Sequence, residues 1–176
     1  KIRLFSPATG EVYVGLVDKI VNWARKSEYT LEFENNQHYG TPFEENEIIS
    51  REGVKAYMKK ISRHKPRNYQ IDAVYDALRY NRKLLISPTA SGKSLMIYAV
   101  VRYFAEKKKK VLLVVPTTSL VEQMFKDFED YGWDVEKYCH KIYSGREKTN
   151  EYPVTITTWQ SIYKLKRPFF KDFEVV

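Results

Sequence analysis

The sequence predicts an α/β fold in which a parallel sheet is flanked by helices. The first observation is a single stretch, LLISPTASGKS at residues 84–94, that reads as a strand, a tight loop and the start of a helix. The second is the continuous apolar run Val111–Val115, typical of a strand covered on both faces. The third is the regular alternation of helix and strand patterns from Tyr69 onwards, which indicates a parallel sheet.

Composition and charge narrow the class of partner. The chain has 176 residues and a formal net charge of +8. Residues 1–64 hold ten Lys and Arg against nine Asp and Glu, whereas residues 65–176 hold twenty against thirteen. The excess of positive charge in residues 65–176 favours a polyanion as the binding partner, most simply nucleic acid. The single cysteine, Cys139, excludes an internal disulfide and fits a reducing compartment. No apolar run is long enough to cross a bilayer, and no spacing of Cys, His and Asp residues suggests a zinc site.

The sequence pattern of residues 1–62 predicts a small α+β unit. Its predicted elements are a strand over Lys1–Phe5, a turn over Pro7–Gly10, a returning strand over Glu11–Val14, a helix over Leu16–Lys26, a strand over Tyr29–Phe33 and an irregular loop over residues 35–47. Ser50 is expected to cap an amphipathic helix that runs to Ile61. Units below about 70 residues rarely fold alone. We therefore expect this unit to pack on the rest of the chain.

The basic, polar residues 63–68, broken by Pro66, form the predicted linker to a second domain over residues 69–176. Helices are predicted over Tyr69–Tyr80, Gly92–Lys107, a stretch capped by Thr118 or Ser119 that ends near Gly132, and Trp159–Lys164. Strands are predicted over Lys83–Ser87, Val111–Val115, Val135–Tyr143, Val154–Thr158 and Phe173–Val176, with a loop over residues 144–146. This order of helices and strands gives the α/β class.

The stretch 84–94 has the chemistry of a phosphate cradle. Backbone N–H groups at a helix N-terminus point outward unpaired, and the helix dipole favours an anion there. Gly92 lets the backbone come close, Lys93 offers a charge to the β- and γ-phosphates, and the Ser94 hydroxyl can ligate Mg²⁺. The pattern G-x-x-x-x-G-K-[ST] fits, except that Ser87 stands where the first glycine is usual. The alternative is an ordinary turn with an exposed lysine.

Three residues ahead of this loop are candidates for binding a base. The amide of Gln70 can donate to and accept from the edge of adenine at once. Arg67 and Tyr69 could stack on the same base. The alternative is a surface glutamine on a helix.

Two predicted strand ends carry hydroxyl and amide side chains. One is Pro116-Thr117-Thr118 after the run Val111–Val115, and the other is Thr158-Trp159-Gln160-Ser161 after Val154–Thr158. Ligands bind at strand ends of parallel sheets, and hydroxyls beside free N–H groups suit a phosphodiester. Trp159 is either a platform for a base or part of the core. The simpler alternative for Thr118 and Ser119 is helix capping alone.

Taken together, these motifs occur in the order found in one family. Residues 88–94, Gln70, PTTSLVEQ at 116–123 and TTWQS at 157–161 resemble motif I, an adenine-reading glutamine, motif Ia and motif Ic of superfamily 2 DNA helicases. The upstream residues 1–17 and 51–61 are similar to phage recombination helicases, which carry a small N-terminal α/β domain. The resemblance implies a RecA-like P-loop NTPase domain over residues 69–176.

The resemblance also implies a set of site residues. Lys93 and Ser94 would be catalytic, with Ser94 the ligand of Mg²⁺. ATP would be bound by Arg67, Tyr69, Gln70, Thr89, Ala90, Ser91, Gly92, Lys93, Ser94 and Leu95. Nucleic acid would be bound by Pro116, Thr117, Thr118, Thr158, Trp159 and Gln160. The implied partners are branched or single-stranded DNA without sequence preference and RNA in RNA–DNA hybrids, with no membrane, for a monomer in the host cytoplasm.

The expected activity is ATP-dependent helicase or translocase action on branched DNA or R-loops in phage replication, recombination and repair. In the family the acidic Walker B motif follows the strand that begins near Phe173, and a second RecA-like domain follows later. We expect this chain to stop before both, and therefore to bind nucleotide but hydrolyse it poorly. The alternatives are a translocase subunit of a restriction system, a small-molecule P-loop kinase, and a non-enzymatic nucleic-acid-binding module that works through residues 1–62.

Overall fold

A computed structural model gives the architecture of the chain. It describes residues 5–12, 14–32, 49–80, 83–143 and 151–176. Two compact units are present, one made of Lys1–Glu47 with Arg79–Leu84 and the other of Ile48–Leu78 with Leu85–Val176. The predicted loops over residues 35–47 and 144–146 lie outside the described residues.

The first unit begins with the predicted tight turn. The Ser6 N–H donates to the Glu11 carbonyl at 2.9 Å, the Gly10 N–H donates to the Ser6 carbonyl at 2.8 Å, and Phe5 pairs with Val12 in an antiparallel bridge. Gly10 has a φ of 71°, which explains why a glycine closes this turn. The predicted hairpin is thus present as a turn with one bridge, with residues 1–4 and 13 outside the described residues.

Helix α1 spans Val17–Lys26, after a 3₁₀ turn over Val14–Leu16. The strand predicted from Tyr29 is wrong for residues 29–32, which carry no strand. Glu28 has a φ of 59°, so the chain turns back, and the Tyr29 N–H donates to the Ala24 carbonyl at 2.9 Å. The Tyr29 ring then stacks on Trp23 with 5.4 Å between ring centroids. This return to the helix replaces the expected extended segment.

The second unit is built on a parallel sheet of three strands among the described residues. The strands are β1 at Val111–Val115, β2 at Cys139–Ile142 and β3 at Val154–Thr158, in the order β1-β3-β2. Val115 lies opposite Thr158, and Ile142 lies opposite Thr157, so the three carboxyl ends meet at one edge. The central strand β3 is buried along its whole length. The predicted α/β class with a parallel sheet is confirmed.

Helices surround this sheet. They are α2 at Arg51–Ile61, α3 at Asn68–Arg79, α4 at Lys93–Glu106, α5 at Thr118–Asp130, α6 at Val135–Tyr138, α7 at Trp159–Ile162 and α8 at Arg167–Lys171. The Ser50 side chain accepts from the Gly53 N–H at 3.0 Å, so the predicted cap of α2 is confirmed. Helix α8 was not anticipated from the sequence. The helix predicted over Gly92–Lys107 agrees with α4 to one residue at each end.

Helix α2 packs in the second unit. Val54, Met58 and Ile61 are buried in the same core as Ile71 and Val74 of α3. The Arg51 guanidinium also pairs with the Asp72 carboxylate of α3. The contacts therefore group α2 with the sheet, although the sequence placed it before the linker. A functional domain boundary at residues 63–68 stays a prediction.

The strand predicted over Lys83–Ser87 is not formed. Leu84 and Ile86 are 83% and 92% exposed, and residues 83–88 carry no strand. An apolar cavity of about 280 Å³ is lined both by Leu85 and by Val111 of β1. Leu85 and β1 therefore face the same cavity, and no backbone pairing joins them within the described residues. The strand predicted over Phe173–Val176 is present only as an isolated parallel bridge between Val175 and Val111 of β1.

Two further local predictions need correction. The strand predicted over Val135–Tyr143 is the short helix α6 followed by β2, because the Asp134 carboxylate caps that helix by accepting from the Lys137 N–H at 3.4 Å. The cap of α5 is Thr117 rather than Thr118 or Ser119. Its hydroxyl accepts from the Leu120 N–H at 3.3 Å, so the helix begins one residue earlier than expected.

Candidate nucleotide and nucleic-acid sites

The phosphate loop, residues 87–92, is shaped by two left-handed residues. Ala90 has a φ of 61° and Gly92 a φ of 73°, and α4 begins at the next residue. A Cβ on Gly92 would overlap the Nε2 atom of Gln70. Glycine is therefore favoured at position 92 by its backbone conformation and, unlike Ala90, also by its close neighbour Gln70.

Lys93 is folded back onto this loop. Its Nζ donates to the Pro88 carbonyl at 2.7 Å and to the Ser87 carbonyl at 3.2 Å. The ammonium group is thus held by loop oxygens, close to the N-terminus of α4. A phosphate at the loop would offer stronger, charge-assisted acceptors in place of these carbonyls.

Ser94 follows in the first turn of α4. Its Oγ lies 2.8 Å from the hydroxyl of Tyr131, at the end of α5. No cluster of three or more His, Cys, Asp or Glu side chains able to hold a metal occurs within the described residues. A single hydroxyl oxygen beside a phosphate-binding loop suits Mg²⁺, a hard cation that takes most of its ligands from phosphates and water. Ser94 is the residue that would hold it.

Gln70 is buried behind the loop with 5% of its surface exposed. Its Nε2 donates to the Ser91 carbonyl at 3.0 Å, and its Oε1 accepts from the Arg67 N–H at 2.9 Å. The Tyr69 hydroxyl donates to the same Ser91 carbonyl at 2.8 Å. Both side chains therefore support the loop, a role that the sequence did not suggest. The reading of adenine by Gln70 stays a prediction.

Arg67 and Tyr69 share one cavity with loop residues 87–91, whereas Gln70 and residues 92–94 do not line it. A space of about 510 Å³ is lined by Arg67, Tyr69, Ala73, Leu85, Ile86, Ser87, Pro88, Thr89, Ala90, Ser91 and Met96. Leu95 is placed elsewhere, because its side chain is buried in the core and its N–H donates to the Gly92 carbonyl at 3.2 Å. The cavity is large enough for a nucleotide-sized ligand.

A second cavity lies at the carboxyl ends of the strands. It measures about 490 Å³ and is lined by Pro116, Thr117, Thr118, Tyr143, Thr158, Gln160 and Ser161, which we call the strand-end groove. Five of the six residues predicted to bind nucleic acid thus come together, although they are far apart in the sequence. The sixth, Trp159, is 60% exposed and does not line the groove. Thr158 and Ser161 join their hydroxyls at 2.8 Å.

Tyr143 is a groove residue that the sequence analysis missed. It follows β2 directly, and its hydroxyl donates to the Glu122 carboxylate of α5. Lys141 donates to the other oxygen of that carboxylate at 2.9 Å. The signal that would have found Tyr143 is its place after a third parallel strand, but that strand was predicted to continue through it. The position of Tyr143 at the end of the strand could therefore not be predicted from the sequence.

Cys139 is outside both cavities. It is 4% exposed, and burial alone raises the pKa of its thiol to about 12. The thiol therefore stays protonated at neutral pH, where a thiolate would be needed for nucleophilic chemistry. The interpretation of Cys139 as a buried apolar residue agrees with this placement.

Comparison with known proteins identifies the family of this chain. Residues 63–176 match the family described as type III restriction enzyme, res subunit. The ATP-dependent DNA helicase uvsW of Enterobacteria phage T4 is 36% identical over 140 residues, which make up 73% of this chain and 28% of that protein. Reverse gyrase 1 of Aquifex aeolicus (strain VF5) is 26% identical over 101 residues, or 52% of this chain and 9% of that protein.

Solved structures show the same likeness. A crystal structure of the UvsW helicase from bacteriophage T4 matches with a TM-score of 0.84 at 31% identity and covers 98% of this chain and 62% of that one. A second crystal structure of T4 UvsW has the same TM-score and identity, with 36% of its chain covered. The match therefore includes the first unit as well as the second, and confirms the RecA-like fold.

The helices within the described ranges are all too short or too polar to span a membrane. This chain spans just over a quarter of the uvsW protein that it matches. The family match, by contrast, covers well over half of this chain. The chain therefore belongs to the family described as type III restriction enzyme, res subunit, and resembles the superfamily 2 helicase UvsW.

Proposed function

We propose that this chain is the nucleotide-binding part of an ATP-dependent DNA helicase or translocase. The strand-end groove carries the proposal, because it assembles hydroxyl and amide side chains from two distant stretches in the unit that also holds the phosphate loop. A P-loop kinase for a small molecule would use the loop but has no need of such a groove. A motor that moves along a polymer needs both.

In this proposal ATP binds at the phosphate loop with Mg²⁺. Lys93 leaves the carbonyls of Ser87 and Pro88 and donates to the phosphates instead, while Ser94 ligates the cation. Arg67 and Tyr69 face the base, and Gln70 exchanges its hydrogen bonds with loop backbone for the edge of adenine. Mg²⁺ held by Ser94 would supply charge neutralisation for the phosphates during hydrolysis. The loop residues then bind, orient and release the nucleotide.

The strand-end groove holds the backbone of one nucleic-acid strand. Thr117, Thr118, Thr158 and Gln160 can donate to phosphate oxygens, which carry no sequence information. Binding should therefore tolerate any sequence and weaken as salt rises. We propose branched DNA as the substrate, with R-loops as a further one, for a monomer that acts in phage recombination and repair in the host cytoplasm. The resemblance to the T4 helicase supports this choice.

The first experiment measures binding of a fluorescent, non-hydrolysable ATP analogue with Mg²⁺ to the 176-residue chain. Lys93→Ala removes a charge-assisted contact to phosphate, so we expect about 10- to 100-fold weaker binding. Lys126→Ala removes the same charge from an exposed position on α5 and is the matched control. Equal affinity of the parent chain and Lys93→Ala would contradict the proposal, as would a preference for the GTP analogue.

A translocase subunit of a restriction system is the second candidate, since the matching family carries that description. The two candidates differ in their DNA. A restriction translocase moves along linear duplex, whereas a branch-remodelling helicase prefers forks and junctions. Competition between a fork and a linear duplex of equal length separates them. Equal affinity for both would favour the restriction translocase.

A further inference from the structure

Tyr131 connects the end of α5 with the first turn of α4. Its hydroxyl lies 2.8 Å from the Oγ of Ser94, across 37 positions of sequence. Nothing in the motif containing Ser94 points to this partner. The contact links the helix that begins at the strand-end groove with the residue proposed to hold Mg²⁺.

The ring of Tyr131 is held in place by its neighbours. It packs against Tyr98 at 5.1 Å and meets His64 edge-on at 5.6 Å between ring centroids. Tyr98 is fully buried, and its own hydroxyl donates to the Ile61 carbonyl at 2.8 Å. The backbone N–H of Tyr131 donates to the Asp127 carbonyl at 2.9 Å. The Tyr131 hydroxyl is therefore presented to Ser94 from a fixed ring and a fixed backbone.

A serine that ligates a cation keeps its proton and uses its lone pairs. The direction of that proton decides whether the lone pairs face the cation. A hydrogen-bond acceptor on the far side of the hydroxyl fixes the proton and leaves the lone pairs available. Such outer partners orient metal ligands, and their removal costs about 10- to 100-fold in metal affinity.

We infer that Tyr131 is a positioning residue for Mg²⁺-dependent nucleotide binding. Its hydroxyl oxygen accepts the proton of Ser94 and turns the Ser94 lone pairs toward the cation. This inference rests on the proposed function, because it takes Ser94 as the ligand. It adds a residue from outside the phosphate loop to the site.

The test compares the affinity of the chain for a non-hydrolysable ATP analogue in Mg²⁺ and in EDTA. The gain from Mg²⁺ is the quantity of interest. Tyr131→Phe keeps the ring and removes the hydroxyl, so we expect the gain to fall about tenfold while affinity in EDTA stays unchanged. Tyr138→Phe, which removes a hydroxyl from the ring stacked on Trp133, is the matched control and should keep the full gain.

A double-mutant cycle shows whether Tyr131 acts through Ser94. Ser94→Ala should remove most of the gain, and Tyr131→Phe should then cost nothing more. Mn²⁺ in place of Mg²⁺ gives a direct signal, since its electron paramagnetic resonance spectrum in the complex should change in Tyr131→Phe and stay constant in Tyr138→Phe.

Three results would overturn the inference while leaving the nucleotide site intact. They are a full Mg²⁺ gain in Tyr131→Phe, an equal loss of affinity in Mg²⁺ and EDTA, and a further loss in the double variant. Failure of the parent chain to bind the analogue, or to gain from Mg²⁺, would instead overturn the proposed function and the inference with it.

Discussion

The phosphate loop and the strand-end groove satisfy their polar groups in different ways. In the loop, Lys93, Gln70 and Tyr69 already donate to loop carbonyls. In the groove, Gln160 is exposed and its side chain has no hydrogen bond within the described ranges, while Thr117 contributes its hydroxyl only to the cap of α5. The loop thus satisfies its polar side chains internally, whereas the groove keeps the Gln160 amide free for a ligand.

Because of this difference, we expect substitutions in the loop to lower the stability of the fold and substitutions in the groove to lower the affinity for a ligand. A ligand at the loop must replace internal hydrogen bonds, so only a ligand with stronger acceptors, such as phosphate, gains from binding there. The same internal bonds hold the loop in the absence of ligand. The Gln160 amide in the groove exchanges only water, so it adds a small increment to affinity and little to folding. Substitutions should therefore affect the two sites differently.

The largest expected effect is at Gly92. Alanine there would occupy a left-handed conformation and overlap Gln70, which together cost about 2 to 4 kcal/mol of unfolding free energy. Denaturant unfolding of Gly92→Ala measures this loss, and analogue binding should fall with it.

Ala90→Gly is the control for that experiment. Position 90 is also left-handed, with a φ of 61°, and glycine adopts this conformation without strain. We expect its stability to stay unchanged or to rise by about 1 kcal/mol, because the left-handed strain of alanine is removed. A Gly92→Ala chain as stable as the parent would show that the loop is not closed in the way described.

The next effect compares two glutamines, one from each site. Gln70→Ala leaves the partly buried N–H of Arg67 without its acceptor and removes a buried donor from the Ser91 carbonyl, so we expect a loss of about 2 kcal/mol. Gln160→Ala should change stability by less than about 0.5 kcal/mol. Thermal and denaturant unfolding of both variants measure the difference. Equal losses would remove the distinction between the closed loop and the open groove.

The sequence predicted best what depends on local pattern and on strand ends. The parallel arrangement followed from alternating elements, and the meeting of Thr117 with Thr158 followed from the rule that parallel strands end at one edge. The cap at Ser50 was predictable because its acceptor lies three residues before its donor. These are short-range or topological signals that a single sequence carries.

The remaining features depend on packing across the fold. Leu84–Ile86 looks like a strand, but a strand also needs a partner, and this segment has no backbone pairing within the described residues. Gln70 forms a hydrogen bond with a backbone carbonyl 21 positions away in the sequence, and Tyr131 forms one with Ser94, which is 37 positions away. No periodicity marks such contacts. The stretch from Val135 was misassigned because the Asp134 cap outweighed a strand-like composition.

The smallest expected effect concerns affinity at the groove. Gln160→Ala removes one neutral donor to a phosphodiester, which corresponds to about fivefold weaker binding of a fluorescent oligothymidine. Gln123→Ala, also exposed and located on α5, is the matched control and should bind as the parent does. Because Gln160 carries no charge, its loss should leave the slope of affinity against salt concentration unchanged. A loss of stability in Gln160→Ala equal to its loss of affinity would mean that the groove, like the loop, is held together by its own side chains.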